Sequence, residues 1–181
     1  SFRTRIYPEY KATRGETPRE FIGQIPLLQD ALHSMGLVTV TKEDFEADDI
    51  IATLAREGSQ ANFDVLVVSG DRDTFQLVSD QVTVLYPSAR GVSELKRYSP
   101  EAVQERYGVA PEQYPDIAAL VGETSDNLVG VEKVGEKTAV KWLQKYGSLE
   151  AILNSADEIP GVVGQNLRDQ KDRVVRNREL N

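Results

Sequence analysis

Apolar residues recur every three or four positions in the first third of the chain, the spacing of an amphipathic helix. A helix start precedes this pattern, with Thr17 as the cap, Pro18 in the first turn and Glu20 as the acid of a capping box. Gly36 follows the pattern and ends the helix. The sequence therefore predicts one helix whose buried stripe consists of Phe21, Ile25, Leu28, Leu32 and Met35. A short strand over Leu37 to Val40 is predicted next.

A second helix is predicted from Phe45 to Arg56, with Ile50, Ile51 and Leu54 facing inward. The segment from Asp64 to Gly70 contains a continuous apolar run, Val65 to Val68, which is typical of a parallel strand buried on both faces. Two more strands, an edge hairpin with a turn at residues 88 to 91, are predicted over Val82 to Tyr86 and Val92 to Tyr98.

The chain beyond Ser99 shows helical patterns only. Ser99 and Pro100 form a cap followed by proline, and further helices are predicted over Pro111 to Val121, Glu136 to Tyr146, Ser148 to Asn154 and Gln165 to Asn177. Strands alternating with helices, followed by a helical half, predict an α/β fold with a mostly parallel central sheet and a helical extension. We place the α/β part at residues 1–110 and the helical subdomain at 111–181.

Composition restricts the chemistry. The chain of 181 residues has no cysteine and one histidine, His33, so a metal ion must be bound through oxygen. No apolar stretch approaches the roughly 20 residues that a bilayer requires and no leader opens the chain, so we expect a soluble, cytoplasmic, monomeric protein with no membrane partner.

The net charge of −8 is unevenly distributed. Residues 41 to 80 contain ten acids and three bases, whereas residues 1 to 20 and 161 to 181 each contain five bases and three acids. An acidic block between basic ends suits a protein that holds divalent cations centrally and grips a polyanion around them. An ordinary solvated acidic surface is the alternative.

Three acidic clusters are candidate metal sites because Mg²⁺ and Mn²⁺ prefer oxygen ligands. They are Glu46 with Asp48 and Asp49 in a first helical turn, Asp71 with Asp73 after the apolar strand, and Glu123 with Asp126 in a polar loop. Ligands of open α/β sheets bind beyond the carboxyl ends of strands, where the second cluster lies. The alternatives are acids that complement a helix dipole, an Asp-rich turn and an ordinary loop.

Two further segments are candidate DNA contacts. Lys11 and Arg14 point the same way if they lie on a helix, and Tyr10 offers a ring for base stacking; a solvated helix face is the alternative. The segment from Val131 to Ala139 is typical of a hairpin whose glycine precedes the start of a helix. The backbone N–H groups there would form a phosphate-binding site. A plain helix–turn–helix corner is the alternative there.

In order along the chain, these motifs resemble those of the 5′-nuclease domain of bacterial DNA polymerase I, a relative of flap endonucleases. They are Ser1-Phe-Arg3 with Tyr10-Lys11-Ala-Thr-Arg14, Glu46-Ala-Asp-Asp49, Gly70-Asp-Arg-Asp73, Gly122 to Asn127 and Val134 to Ala139. The resemblance implies a PIN/5′-nuclease-like fold with a helix–hairpin–helix subdomain, and hydrolysis of DNA at 5′ flaps by two Mg²⁺ or Mn²⁺ ions in replication and repair. It also implies a nucleoid-associated location.

The resemblance implies roles for the matched residues. All seven acids hold or orient the ions, and Lys11 and Arg14, at the base of a helical arch in residues 1–20, contact the scissile phosphate. The implied DNA-binding residues are Arg3, Tyr10, Val131, Val134, Gly135, Lys137 and Thr138, with K⁺ at the hairpin. A polymerase domain linked to the nuclease is a further implied partner.

Two departures from the family pattern leave alternatives open. Relatives begin about 60 residues earlier and supply two more aspartates there, so a fragment that only binds branched DNA is an alternative to the active nuclease. Lys133 and Val129 stand where many relatives have glycine and proline. A phosphatase of the haloacid dehalogenase type is disfavoured, because that family has threonine or valine where this chain has Phe75.

Overall fold

The computed structural model describes residues 1–88 and 91–181, and a three-stranded sheet lies at its centre. The strands are β1 (Val65–Val68), β2 (Val82–Ser88) and β3 (Gly91–Tyr98). The β1 and β2 strands are parallel, and β3 pairs antiparallel to β2 at the sheet edge, as the sequence predicted. The predicted turn at 88 to 91 includes residues 89 and 90, which lie outside the described residues.

Ten α-helices surround this sheet or follow it in the part of the chain that is described. They are α1 (Phe2–Ile6), α2 (Arg19–Ile22), α3 (Gln24–Ser34), α4 (Ala47–Gln60), α5 (Pro100–Tyr107), α6 (Tyr114–Val121), α7 (Glu136–Tyr146), α8 (Leu149–Asn154), α9 (Gly161–Asp169) and α10 (Lys171–Leu180). None of them is long and apolar enough to cross a bilayer. The predicted α/β class with a helical extension is confirmed, and the sheet is small and mixed.

Local caps explain several of these boundaries. The Ser99 hydroxyl accepts a hydrogen bond from the backbone N–H of Ala102 at 3.3 Å, so α5 begins where the sequence predicted. Gly108 ends α5 in a left-handed conformation. The Gln165 to Asn177 helix was predicted as one piece and is two, because the chain leaves helical geometry at Gln170.

The predicted buried stripe of the first long helix is wrong. The segment forms two helices, α2 and α3, that meet at Gly23, and four of its five stripe residues are exposed, with Leu32 half-buried. Residues 37 to 40, predicted as a strand, form no regular structure. In the described ranges no other element packs closely on this helix pair, so its apolar side chains face solvent.

The first strand was predicted to be buried on both faces, and it is buried on one. Val67 points into the core, whereas Leu66 and Val68 are 54% and 61% exposed. The α4 helix covers the inner face, with Ile51 against the core and Leu54 exposed. Alternation of buried and exposed residues is what one covered face produces.

Phe75 joins the sheet to the helical half. Its ring is 1% exposed and lies with its centroid 4.4 Å from that of Tyr98, and the rings of Tyr86, Tyr107 and Tyr114 are within 5.8 Å. Phe75 lies in a 3₁₀ helix over Arg72–Leu77, so the packing of one aromatic side chain fixes the segment that follows β1. One hydrophobic core includes residues from both sides of the domain boundary predicted between residues 110 and 111, and that boundary stays a prediction.

A close backbone approach fixes the loop after α6. Two short strands that the sequence did not predict, β4 (Gly122–Glu123) and β5 (Leu128–Val129), pair antiparallel around the loop. A Cβ atom on Gly130 would lie 2.1 Å from the backbone carbon and oxygen of Val121. The buried Asn177 amide donates to the carbonyls of Ala119 and Val129, which ties α10 to both sides of the loop.

This approach predicts a strong effect of one methyl group. We expect Gly130→Ala to lower the free energy of unfolding by at least about 2 kcal/mol, because the backbone of β5 must move away from α6. The measurement is urea unfolding. Gly23→Ala is the control, since Gly23 has helical dihedral angles and open space around it, and it is expected to add about 0.5 kcal/mol. Equal stabilities of the two variants would contradict the prediction.

Candidate active site

The first acidic cluster lies where α4 begins. The backbone N–H of Glu46 donates to the Asp49 carboxylate at 2.8 Å, an acid-based cap that starts the helix. Asp48 lies beside the segment that follows β1, because α4 packs against it. Burial, together with the negative charge of Asp71, raises the pKa of the Asp48 carboxyl.

The second cluster follows β1 at its carboxyl end, as predicted. The Asp71 carboxylate accepts a hydrogen bond from the backbone N–H of Asp73 at 3.0 Å, and the Thr74 hydroxyl donates to the Asp71 carbonyl at 2.6 Å. Asp71 is therefore the cap of the 3₁₀ helix that Phe75 anchors. The predicted alternative of an Asp-rich turn describes the local geometry correctly, but it leaves the partly buried Asp73 carboxyl unexplained.

Asp73 lies near Glu123 from the third cluster, close enough for each carboxyl to affect the pKa of the other. Burial, followed by the negative charges of Glu123, Asp71 and Asp126, raises the pKa of Asp73 to about 8. Burial also raises the pKa of Glu123. The pair therefore holds a proton to a higher pH than free carboxylates do.

Cations from the N-terminal segment border these acids. The Lys11 ammonium pairs with Glu46 and lies 3.7 Å from Asp126, and the Arg14 guanidinium donates to Asp126 at 2.8 Å. These two cations do not lie on a helix, because residues 8 to 13 form turns and Lys11 has a positive φ of 56°. The two cations nevertheless converge, since both reach the same carboxylate.

The sequence predicted that Tyr10 offers a ring for base stacking, and this prediction is wrong. Its side chain is 6% exposed and packs against Leu128 and Leu180, and its hydroxyl donates to Asp126 at 2.9 Å. Burial and the charge of Asp126 raise the pKa of the Tyr10 hydroxyl, which stays a proton donor. Tyr10 therefore fixes the position of Asp126.

Arg3, predicted among the DNA-binding residues, is also buried. Its guanidinium makes two hydrogen bonds to Asp49, at 2.7 and 2.8 Å, and its Nε donates to the carbonyl of Leu180 at 2.7 Å. The pairing lowers the pKa of Asp49. The structure thus directs these donors of Arg3 to protein acceptors.

Each of the three clusters contributes to the lining of one cavity of about 80 Å³, although Asp71 and Glu123 are not part of that lining. Its lining includes Lys11, Glu46, Asp48, Asp73 and Asp126. Across residues 1–88 and 91–181, no three acids or histidines are already arranged around a single point as metal ligands. Asp49, Glu46 and Asp126 instead pair with arginines and Lys11.

The predicted hairpin lies away from the lining of this cavity. Val131 and Val134 are buried, so only their backbone atoms can meet a ligand, whereas the side chain of Lys137 is exposed and Thr138 is half-buried. Gly135 precedes α7, and its neighbours present the first N–H groups of that helix. Lys133 has a left-handed φ of 63°.

Sequence reasoning missed several residues that build the site. Thr74 lines the cavity, and the carbonyl of Leu180 accepts from Arg3 at the other end of the chain. Ser125 donates to Glu123 at 3.2 Å. A serine or threonine beside an acidic motif is a usable signal, whereas no sequence pattern indicates which backbone carbonyl a distant arginine will reach.

The raised pKa of Asp73 predicts how stability depends on pH. Between the ordinary aspartate pKa of about 3.9 and the folded value of about 8, the folded chain binds more protons than the unfolded chain, so its stability falls as pH rises. We expect Asp73→Asn to raise the free energy of unfolding at pH 8 by at least about 1 kcal/mol and to flatten this dependence. Denaturation over a pH series measures it. Asp80→Asn is the exposed control. If the two variants show the same dependence of stability on pH, the prediction for Asp73 is contradicted.

Comparison with known proteins gives a consistent family. The N-terminal resolvase-like domain of 5′-3′ exonucleases matches residues 1–108, and the C-terminal SAM fold of 5′-3′ exonucleases matches residues 109–181. DNA polymerase I of Mycobacterium tuberculosis is 55% identical over 180 residues, and that of Bacillus caldotenax is 43% identical over 181 residues. Each alignment covers 99% of this chain and 20% of the relative, so the chain spans about one fifth of the relatives' length.

Solved structures agree with this assignment. A bacteriophage T5 protein co-crystallised with metal ions has a TM-score of 0.82 and 26% identity, covering 99% of this chain and 70% of its own. A T5 flap endonuclease in a pseudo-enzyme–product complex with DNA and metal ions has a TM-score of 0.80 and 26% identity, covering 99% and 68%. Because both domain models match and the relatives are 43% to 55% identical, the chain belongs to the 5′-3′ exonuclease family.

Proposed function

We propose that this chain is the catalytic part of a structure-specific 5′ nuclease that hydrolyses DNA phosphodiesters at 5′ flaps and ends. One observation carries the proposal: acids from three separate parts of the chain, among them Glu46, Asp73 and Asp126, line one cavity. So many acids at one cavity are stable without protons only if cations neutralise them. The T5 relatives contain metal ions, and one contains DNA as well.

The residues present fit divalent cations. The charged donors are carboxylate oxygens, the preference of Mg²⁺ and Mn²⁺, and Asp73 and Glu123 lie partly buried beside other acids, where a positive charge is favoured. We assign Asp48, Asp71 and Asp73, with Glu46, Glu123 and Asp126, to hold two such ions. Ions bound there would stabilise charge on the phosphate and lower the pKa of a water molecule.

The cations at the cavity position the DNA. Lys11 and Arg14 now pair with Glu46 and Asp126. Neutralisation of those acids would release both side chains to contact the scissile phosphate. Tyr10 keeps Asp126 in place from the buried side. We therefore assign Lys11 and Arg14 to phosphate contact and Tyr10 to positioning.

The hairpin grips the duplex away from the cavity. Backbone N–H groups at Gly135 and the start of α7 suit a phosphate whatever the base sequence, and Lys137 and Thr138 lie in the same turn of helix. The buried side chains of Val131 and Val134 hold the hairpin shape, and K⁺ is the monovalent cation proposed for its carbonyls. In the cell we expect the chain to act beside a linked polymerase domain on nicked or branched DNA.

Removal of two acids tests the catalytic proposal. We expect Asp71→Ala, Asp73→Ala to reduce Mg²⁺-dependent cleavage of a labelled 5′ flap by at least about 100-fold, because charge on the reacting phosphate is no longer stabilised. The exposed pair Asp44→Ala, Asp80→Ala removes the same charge and should cleave normally. Cleavage by the first variant at the wild-type rate would refute the site.

The same assay decides between the nuclease and its alternative. Both the chain alone and the chain within its full-length protein should be measured, with and without EDTA. Flap binding without cleavage in both contexts favours a module that only binds branched DNA. Cleavage by the chain alone excludes that alternative.

The left-handed conformation of Lys133 predicts a stabilising change in the hairpin. We expect Lys133→Gly to raise the free energy of unfolding by up to about 1 kcal/mol, because glycine adopts a positive φ without steric cost. Lys133→Ala removes the same charge and keeps the strained φ, so it should not stabilise the chain. Urea unfolding measures both, and equal stabilities would show that the hairpin carries no strain there.

A further inference from the structure

Among the residues that the structure describes, Arg3 is one of the few charged ones that are buried. Its side chain is 10% exposed, and three of its nitrogen atoms donate to protein oxygens. Two of the bonds reach Asp49 at the start of α4, and the third reaches the carbonyl of Leu180 at the end of α10. One guanidinium thus connects α1, α4 and α10.

The hydrogen bonds of Asp49 leave it little capacity for another ligand. Its Oδ1 accepts from Arg3, and its Oδ2 accepts from both Arg3 and the backbone N–H of Glu46. Each of these bonds is 2.7 or 2.8 Å long, the range of strong charge-assisted pairs. A metal ion at Asp49 would have to displace them.

We propose that Arg3 and Asp49 form a positioning pair that sets the geometry of the metal-binding carboxylates, and that neither contacts the ions or the DNA. Asp49 holds the backbone of Glu46, and Asp48 lies between the two on the same turn. Arg3 fixes the Asp49 carboxylate, and through Leu180 it links this turn to the helical half. The proposal rests on the proposed metal-dependent function and assigns two of its residues.

A second ion pair on the same helix provides the comparison. Arg5 pairs with Asp44 through two contacts of 3.0 Å, and their side chains are 65% and 49% exposed. Both pairs join α1 to the segment at the start of α4. Exposed pairs contribute little to structure, whereas a buried bidentate pair fixes an orientation. Only the Arg3 pair should therefore affect the metal site.

The test measures metal and DNA binding separately on the whole chain. Mn²⁺ affinity is measured by calorimetry, flap-DNA affinity in EDTA by fluorescence anisotropy, and folding by thermal denaturation. Arg3→Lys keeps the charge but loses the planar fork. We expect it to weaken Mn²⁺ binding about 10-fold, as loss of a supporting contact around metal ligands does, with DNA affinity in EDTA within about twofold of wild type. Arg5→Lys should change neither.

Asp49→Asn provides the second arm and keeps the test available if Arg3→Lys does not fold. If Asp49 acts through positioning, Asp49→Asn weakens Mn²⁺ binding about as much as Arg3→Lys, and the double variant is no worse than either one. Additive losses would mean that Asp49 is itself a ligand and would overturn the proposal. Reduced DNA affinity of Arg3→Lys in EDTA would overturn it as well, because it would make Arg3 a DNA contact.

The remaining outcomes separate this inference from the proposed function. If the wild-type chain binds Mn²⁺ and the Arg3→Lys variant binds it equally well, the positioning role is contradicted and the proposed function is not. Absence of Mn²⁺ binding by the wild-type chain contradicts the proposed metal-dependent function and the inference with it.

Discussion

Repulsion among carboxylates held at close range is the constraint on which the rest of this structure depends. The core holds Asp73 near Glu123 through Phe75, and α4 brings Asp48 toward Asp71. Water cannot screen these charges fully because the groups are partly buried. As a result, the pKa values of Asp48 and Asp73 are raised, and other acids of the site pair with arginines or with Lys11. The candidate site is therefore a region where packing opposes electrostatics, as functional sites often are.

The helical half supplies the force that keeps the acids together. Gly130 allows β5 to lie against the end of α6, and Asn177 ties both to α10, so the loop that carries Glu123 and Asp126 has little freedom. Tyr10 and Arg3 bind the N-terminal segment to the same loop and to the end of α10. The acids come from three distant parts of the sequence, and packing of the two halves is what makes them one site.

Sequence reasoning predicted the features that depend on local chemistry. The cap at Ser99, the strand before Asp71 and the acidic motifs follow from neighbouring residues, and the structure contains all of them. It failed where tertiary contacts decide. The apolar stripe from Phe21 to Met35 has a helical period, but among the described residues no element covers it. The sequence gives no sign that Tyr10 is buried, because Leu128 and Leu180, which pack against it, are distant along the chain. The role of each acid stays a prediction, because identical carboxylates differ only in their partners.

The raised pKa of Asp73 means that its carboxyl holds a proton to higher pH than an exposed aspartate does, and this proton has a consequence for any titration of this chain with a cation. An ion that takes the place of that proton must release it to the solvent, so binding is a proton exchange as well as a coordination event. The apparent affinity then increases with pH up to the pKa of the pair. The heat observed in calorimetry likewise includes the ionisation enthalpy of the buffer that takes up the proton, so two buffers of different enthalpy give different heats at one pH.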